Sequence, residues 1–488
     1  MSGQLRRTRI LATLGPATDA PGVLEAIIAA GVDVVRLNFS HGSAADHAAR
    51  VERVRAAAQA AGREVGILGD LQGPKIRIER FAIGKVALKA GEPFALHARE
   101  DAPPGDATGV GVSYLGLVDD VAAGDVLLLD DGMVSLRVEA VEGDTIRTTV
   151  LNDGFLSDRK GLNRLGGGLS LDALSDKDRE DIRLAAELNV DFLAVSFCRS
   201  AADIEQARRL AREAGSDAYL VAKIERAEAI DALGEIIDAS DVVMVARGDL
   251  GVEIGDAELP GLQKKIIRES LARGRVVITA TQMLQSMVES PIPTRAEVLD
   301  VANAVIDGTD AVMLSAETAA GSYPLKAVEA MLRICLGAER QFEHNTDFEA
   351  APRHLQHSDQ AIALASMYLT KHIDVRAILA LTESGATVRH LTRFRSTAPV
   401  YGLSRHAPAR RRMAMMRGAW PVEFDSYDDP PRKAARDAVA ELYRRGLLSE
   451  GDRVLITSGD HMGHLGSTNT LRLLTVGVGG AAEGLGRL

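Results

Sequence analysis

Tyr219-Leu-Val-Ala-Lys-Ile-Glu225, Asp241-Val-Val-Met-Val-Ala-Arg-Gly-Asp249, Arg275-Val-Val-Ile-Thr-Ala-Thr-Gln282 and Asp310-Ala-Val-Met-Leu-Ser-Ala-Glu317 decide the fold. Each is a short apolar run that ends in polar, chemically capable residues. A parallel strand buried on both faces reads as a continuous apolar run. In a (β/α)8 barrel the chemistry lies where such strands end. The tips carry Lys223, Glu225, Asp249, Thr281 and Glu317. One lysine, several carboxylates and a threonine suit a metal-assisted site for a small anionic substrate.

Working outward, residues 8–14, 32–37, 65–68 and 190–195 are also short, apolar and rich in Val, Ile and Leu. Helical patterns at 21–30, 44–61, 201–214, 227–237, 259–272, 294–305 and 323–336 follow most of the eight runs. Alternating strand and helix imply a parallel sheet, and eight units predict a closed TIM barrel. One connection breaks the rhythm. From Asp70 to the helical pattern at 176–188 the chain is far longer than an ordinary βα loop. It carries Val/Leu runs at 126–129 and 134–138, with turn signals such as Gly91-Glu92, Asp131-Gly132 and Gly143-Asp144. This predicts an inserted β-barrel-like domain at the catalytic rim, where a lid is the natural role. A polar stretch at 347–357 reads as a linker to a smaller α/β domain, with strands expected at 375–381, 399–403, 421–424 and 453–456. The expected domains are a barrel of 1–72 and 170–345, a lid of 73–169 and a C-terminal domain of 355–478. The Gly- and Ala-rich tail from 477 onward is expected to fray.

Composition narrows the function. A chain of 488 residues exceeds one ordinary domain. Its net charge of −11 argues against nucleic-acid or membrane-surface partners. Two cysteines, Cys198 and Cys335, make a disulfide framework improbable and fit a reducing compartment. No signal-peptide pattern and no membrane-length apolar run is read, so a cytoplasmic location is expected.

Glu225 and Asp249 are the candidate divalent ligands, since Mg2+ takes one or two carboxylates plus water and substrate oxygens. Lys223 lies two residues before Glu225, so both project from one strand end toward the same cavity. Gly248 lets backbone N–H groups approach an anion. Arg36, Asn38, Ser40 and Asp70 form a second group, one cation with several oxygen ligands. Blander readings stand beside these: a structural Lys223–Glu225 ion pair, an ordinary hydrogen-bonded His41, and polar strand ends that are merely exposed. The last weakens once eight strand ends share one mouth.

Five segments are more specific. They are Arg36-Leu-Asn-Phe-Ser-His-Gly42, Val245-Ala-Arg-Gly-Asp-Leu-Gly-Val-Glu253, Ala280-Thr-Gln-Met-Leu284, Pro293-Thr-Arg-Ala-Glu297 and Asp310-Ala-Val-Met-Leu-Ser-Ala-Glu-Thr318. In sequence and order they resemble the signature segments of the pyruvate kinase family. The resemblance implies phosphoryl transfer from phosphoenolpyruvate to ADP, giving pyruvate and ATP, with Mg2+ or Mn2+. It implies that Lys223 contacts the transferring phosphoryl, Arg36 binds the substrate phosphate, and Thr281 assists protonation of the enolate. Ala246, Arg247 and Gly248 would receive the substrate carboxylate, and Glu225 and Asp249 would hold the divalent ion. Asn38, Ser40, Asp70 and the Leu71 carbonyl match a monovalent-cation site. Pro16, Arg36, His41 and Lys160 match nucleotide contacts. The segment Asp70-Leu-Gln-Gly-Pro-Lys-Ile-Arg77 resembles the members that need no K+, with Lys75 supplying the charge. A homotetramer is implied as well.

In the C-terminal domain, Thr382-Glu-Ser-Gly-Ala-Thr387 sits between a strand and a helix. Thr382, Ser384, Gly385 and Thr387 there suit an anion, although an ordinary helix cap is an equal reading. The resemblance places a phosphorylated small-molecule effector at this loop. Arg389, Arg393, Arg395, Arg405 and the run Arg410-Arg411-Arg412 offer further cations. The last loop, at 457–469, lacks the Trp and Arg of the bisphosphate-responsive animal enzymes and resembles the monophosphate-activated bacterial class. Two rivals remain: a Mg2+-dependent barrel lyase or aldolase, and a non-catalytic sensor of sugar phosphates.

Overall fold

The computed structural model describes residues 5–341, 355, 357–394, 396–426, 429–460 and 466–485. Eight strands close into a parallel barrel: Arg9–Thr13, Val34–Asn38, Gly66–Asp70, Phe192–Val195, Tyr219–Ile224, Val242–Ala246, Val276–Ala280 and Ala311–Leu314. The first pairs with the eighth, Arg9 opposite Ala311, which shuts the ring. Val, Ile, Leu and Met fill these strands because both faces are buried. The helices begin where the sequence supplies caps. Ser43 with Asp46, Ser175 with Asp178 and Thr294 with Glu297 form reciprocal capping boxes. The helical pattern at 227–237 proves to be two short helices, Ala227–Asp231 and Leu233–Ala239.

The floor of the barrel repeats one device. Asp33, Asp191, Asp241 and Asp310 each stand one residue before a strand. Each accepts a backbone N–H from the neighbouring strand: Ile10 at 2.9 Å, Ile67 at 2.9 Å, Leu220 at 3.0 Å and Val277 at 3.0 Å. Every one also takes an arginine, which compensates the burial of its charge. Two of those arginines come from the C-terminal domain: Arg411 on Asp191 at 2.7 Å, and Arg393 on Asp310 at 2.5 Å. The apolar core runs on across the same junction. Barrel-interior residues such as Leu68, Met244 and Met313 join one cluster with Met413, Met415 and Met416.

The insert wraps a separate apolar core with two sheets. One has six strands, the other pairs Gly154–Ser157 with Lys85–Leu88, so its hydrogen bonding is divided rather than one closed ring. The C-terminal sheet has six strands. Ala419–Glu423, Val400–Ser404, Ala377–Leu381 and Arg453–Gly459 are parallel, and Thr468–Val476 and Ala482–Glu483 add antiparallel edges. The last two strands are corrections. Thr468–Val476 goes unread in the sequence, and the tail expected to fray pairs Ala482 with Val476 and Glu483 with Thr475. Arg395, residues 461–465 of the last loop and nearly all of the 347–357 linker lie outside the described residues. Among the described residues no helix is long and apolar enough to cross a membrane.

Candidate active site

Strand ends three, four and five converge on one buried ammonium. Lys223 Nζ lies 2.9 Å from Glu225 Oε1 and 3.3 Å from Asp70 Oδ1, and donates to Ser196 Oγ at 2.7 Å. Burial works against its charge, but Asp70 and Glu225 outweigh burial and raise its pKa above the ordinary lysine value. Asp70 is 1 % exposed and works as a hub. Its Oδ2 accepts from Arg36 Nε at 2.6 Å, while Arg36 Nη1 donates to Thr13 Oγ1 at 3.3 Å. Burial would lift Asp70, yet Lys223 and Arg36 hold it below the ordinary carboxylate range. Two cations are thus fixed on one carboxylate at the C-terminal ends of the barrel strands.

The divalent candidates behave as a pair that wants a cation. Glu225 is pushed above the ordinary glutamate value, first by burial and further by the charge of Asp249, with Lys223 opposing. Its Oε2 accepts the Phe197 N–H at 2.9 Å. Phe197 sits at φ 55°, a left-handed conformation unusual for a bulky residue. That turn aims its N–H at the glutamate. Asp249 lies in the first turn of the helix Arg247–Ile254, which starts directly at the end of strand six. Among the described residues no three His, Cys, Asp or Glu side chains gather as a metal cage. Two carboxylates with lone pairs still to offer match Mg2+, which completes its shell with waters and substrate oxygens. The donor set therefore fits the divalent ion.

Thr281 is brought to the same mouth. Its Oγ1 accepts the Gly248 N–H at 2.9 Å and donates to the Ala280 carbonyl at 2.6 Å. Thr281 and Gln282 sit at φ 69° and 52°, two strained residues in succession. The Arg247 side chain holds them there rather than entering the mouth. It donates to the carbonyls of Ala280 at 3.1 Å and Thr281 at 2.6 Å and pairs with Asp300 at 2.7 Å. Ala246, Arg247 and Gly248 thus offer a helix N-terminus, not a guanidinium, to an anion.

The monovalent-cation group fits less well. Asn38 Oδ1 accepts the Ser40 N–H at 3.2 Å, Leu71 O accepts Ser196 Oγ at 2.7 Å, and both Asp70 oxygens face cations. Lys75 is not beside them; its ammonium pairs with Asp249 at 3.1 Å. Pro16 and His41 are exposed at the rim. Lys160 is on the lid, paired with Asp130 at 2.8 Å.

Other polar ends turn out to be structural. Glu317 is fully buried and accepts the N–H groups of Leu284 at 3.0 Å and Ser315 at 2.6 Å. Glu297 of the Pro293-Thr-Arg-Ala-Glu297 segment binds Ser286 through its N–H and Oγ, both at 2.6 Å. The run Arg410-Arg411-Arg412 is spent on the domain junction, on Glu64, Asp191 and Asp217, and is not an effector cradle. In the effector loop, Gly385 N donates to Thr382 Oγ1 at 2.9 Å and Ala386 N to Ser384 Oγ at 3.4 Å. Thr387 is buried and bonded to Thr468 Oγ1 at 2.8 Å. Ser196 is the residue whose part sequence reasoning missed. It was visible only as one polar strand end among eight.

Glu253 also gains a role. It is buried below the lid, accepts the Ala227 N–H at 2.9 Å and meets Asn163 of the lid at 3.4 Å. Burial pushes its carboxyl up to about 7, against the Ala227 N–H and Arg226. A carboxyl raised on folding gives its stability at low pH and loses it as pH rises toward 7. Glu253→Gln should therefore raise the melting temperature at about pH 8 and have little effect at about pH 5. Equal shifts at both pH values would contradict this.

A closed barrel whose mouth fixes Lys223, Arg36, Glu225, Asp249 and Thr281 defines an enzyme that handles a phosphorylated anion. The comparisons agree. The family model "Pyruvate kinase, barrel domain" matches residues 5–328, and "Pyruvate kinase, alpha/beta domain" matches 360–474. Pyruvate kinase II of Salmonella typhimurium is 54% identical over 480 residues, covering 98% of this chain and 100% of that protein. Pyruvate kinase of Haemophilus influenzae is 50% identical over the same shares. The crystal structure of a pyruvate kinase from Cryptosporidium parvum superposes with a TM-score of 0.90 at 32% identity, covering 96% of each chain. The chain belongs to the pyruvate kinase family and is a phosphotransferase.

Proposed function

We propose that this chain transfers the phosphoryl group of phosphoenolpyruvate to ADP, giving pyruvate and ATP in glycolysis, with Mg2+ or Mn2+ and through an enolate. The observation that carries this is Lys223, held by Asp70, Ser196 and Glu225 with Arg36 on the far side of Asp70. Arg36 and Lys223 neutralise the phosphate. The substrate carboxylate lies at the N-terminus of the helix Arg247–Ile254, beside Gly248. A Cβ placed on Gly248 would meet nothing nearer than Thr281 at 3.8 Å, so there is room for a ligand beside it, while its own N–H is held by Thr281 Oγ1. Glu225 and Asp249 would hold the divalent ion, which adds positive charge where the phosphoryl oxygens gather. As the phosphoryl leaves, negative charge passes to the enolate oxygen, and Lys223 stays beside it. Thr281 stands by the enolate carbon and assists its protonation. ADP enters along Pro16, Arg36 and His41, with Lys160 brought over by the lid. Pyruvate formed only when ADP is present is the expected assay result. Pyruvate without ADP would favour the lyase.

Activity is expected without added K+. The oxygens of Asn38, Asp70 and Leu71 each already have a donor or a cation beside them, and Lys75 brings its ammonium into the mouth. Turnover with tetramethylammonium as the monovalent cation should match that in K+ within a small factor. A collapse restored by K+ would refute it. Lys75→Glu should shift the enzyme toward K+ dependence.

The effector is expected to be a monophosphate, such as AMP or a sugar monophosphate, bound at Thr382, Ser384, Gly385 and Thr387 and raising substrate affinity. Strong activation by fructose 1,6-bisphosphate alone would sink that assignment. Two separate apolar faces support a homotetramer. Leu299 and Ile306 lie seven residues apart on the helix Arg295–Asp307, with Ile292 nearby, all exposed. Tyr368 is exposed on the helix Ser358–His372 beside Leu364 and Leu355. Both cysteines are buried and free, which suits the cytoplasm.

A further inference from the structure

The two carboxylates assigned to the divalent ion are not bare. Each is held by an ammonium: Glu225 by Lys223 at 2.9 Å and Asp249 by Lys75 at 3.1 Å. The two lysines differ. Lys223 keeps Asp70 and Ser196 whatever happens to Glu225. Among the described residues, Asp249 is the one side-chain partner of Lys75, and the pair is partly open, at 27% and 22% exposure. Lys75 also lies where the chain crosses from the barrel into the lid, the natural place for its hinge. The outgoing chain pairs with the returning chain beside it: Leu162 N donates to Ile76 O at 3.0 Å and Ile78 N to Lys160 O at 2.9 Å. The Lys75 stem passes against Gly161, where a Cβ would meet Lys75 Cε at 3.2 Å. Its ammonium therefore ties the hinge, through Asp249, to the end of barrel strand six.

We infer that Lys75 is a displaceable counter-ion, which holds Asp249 while the divalent position is empty and releases Asp249, with its ammonium still at the mouth, when the cation arrives. The inference rests on reading Glu225 and Asp249 as the divalent ligands. An ammonium 3.1 Å from Asp249 Oδ1 and a divalent ion on the same oxygen are like charges in contact, and they repel strongly away from bulk water. An ion seated on Oδ1 displaces Lys75 for this reason. Two consequences follow. Divalent affinity of the substrate-free protein is lower than its two carboxylates alone would give. Binding of the ion also unties the lid before any substrate is present.

The test is a titration of the substrate-free protein with Mn2+ alone, following free Mn2+ by electron paramagnetic resonance. Lys75→Met should bind Mn2+ roughly 2- to 5-fold tighter than the parent, the range a partly exposed ion pair supplies. Lys75→Arg keeps the charge and should bind no tighter than the parent. Asp249→Asn should bind at least about tenfold more weakly. If Lys75→Met leaves the affinity unchanged while Asp249→Asn weakens it, the counter-ion role fails and the cation site stands. If Asp249→Asn binds like the parent, the cation reading fails and takes the inference with it. Tightening by Lys75→Arg equal to that of Lys75→Met would also overturn the role, because charge would not be the cause. Hydrogen exchange reads the hinge. Amides at 75–78 and 160–162 should exchange faster when Mn2+ is added to the parent, and should already be fast in metal-free Lys75→Met. Exchange indifferent to both the ion and the substitution would overturn the release of the lid.

Discussion

Lys223→Met is expected to lower kcat by about 10²-fold or more while KM for phosphoenolpyruvate changes far less. On the proposed reading Arg36 still meets the ground-state phosphate in the variant, so binding should survive. What disappears is the cation beside the oxygens that gain charge during transfer, and only interactions stronger in the transition state govern turnover. The substitution also leaves Asp70 and Glu225 without the ammonium they share at 3.3 Å and 2.9 Å. Melting curves of the variant separate that structural cost from the catalytic one. Because the carboxylates raise its pKa, Lys223 stays charged across the working pH range. A basic limb in the parent's pH–rate profile should therefore persist in the variant. Turnover near that of the parent would reject the role.

Glu225→Gln should raise the Mg2+ concentration for half-maximal activity on the order of 10–100-fold, a loss typical even for residues that only support a ligand. Glu225 is buried between Lys223 and the Phe197 N–H, and Asp249 is near enough to raise its pKa. Glutamine still accepts the Phe197 N–H, so the turn at the end of strand four is kept. The negative charge that draws the ion is lost. An unchanged Mg2+ activation curve would show that the ion is held elsewhere.

The barrel was legible because burial on both faces leaves a plain signature, and all eight apolar runs became strands within about two residues at each end. Lys223, Glu225, Asp249 and Thr281 were legible because barrel chemistry is confined to strand ends. What the residues do to each other was not. Asp70 was read as a cation ligand, yet it is the hub between Arg36 and Lys223. Arg247 was read in a substrate loop, and that its side chain pins the carbonyls of Ala280 and Thr281 was not visible. Glu317 and the Arg410–Arg412 run had the right chemistry for a site and were spent on backbone and domain contacts. Burial and partner choice separate such cases, and neither is written in local sequence. Left-handed Phe197, Thr281 and Gln282 are beyond it too, since none is a residue type that favours that conformation. Strand Thr468–Val476 was missed because it follows a Gly- and His-rich loop and its burial follows no clean alternation.

Phosphorus NMR of the purified protein with phosphoenolpyruvate, ADP and Mg2+ tests the central claim most directly. The phosphoenolpyruvate signal should fall in step with the rise of the ATP γ-phosphorus, with transfer slowed by about 10²-fold or more in a parallel sample of Lys223→Met. Loss of phosphoenolpyruvate to orthophosphate, with the ADP signals unchanged, would contradict it.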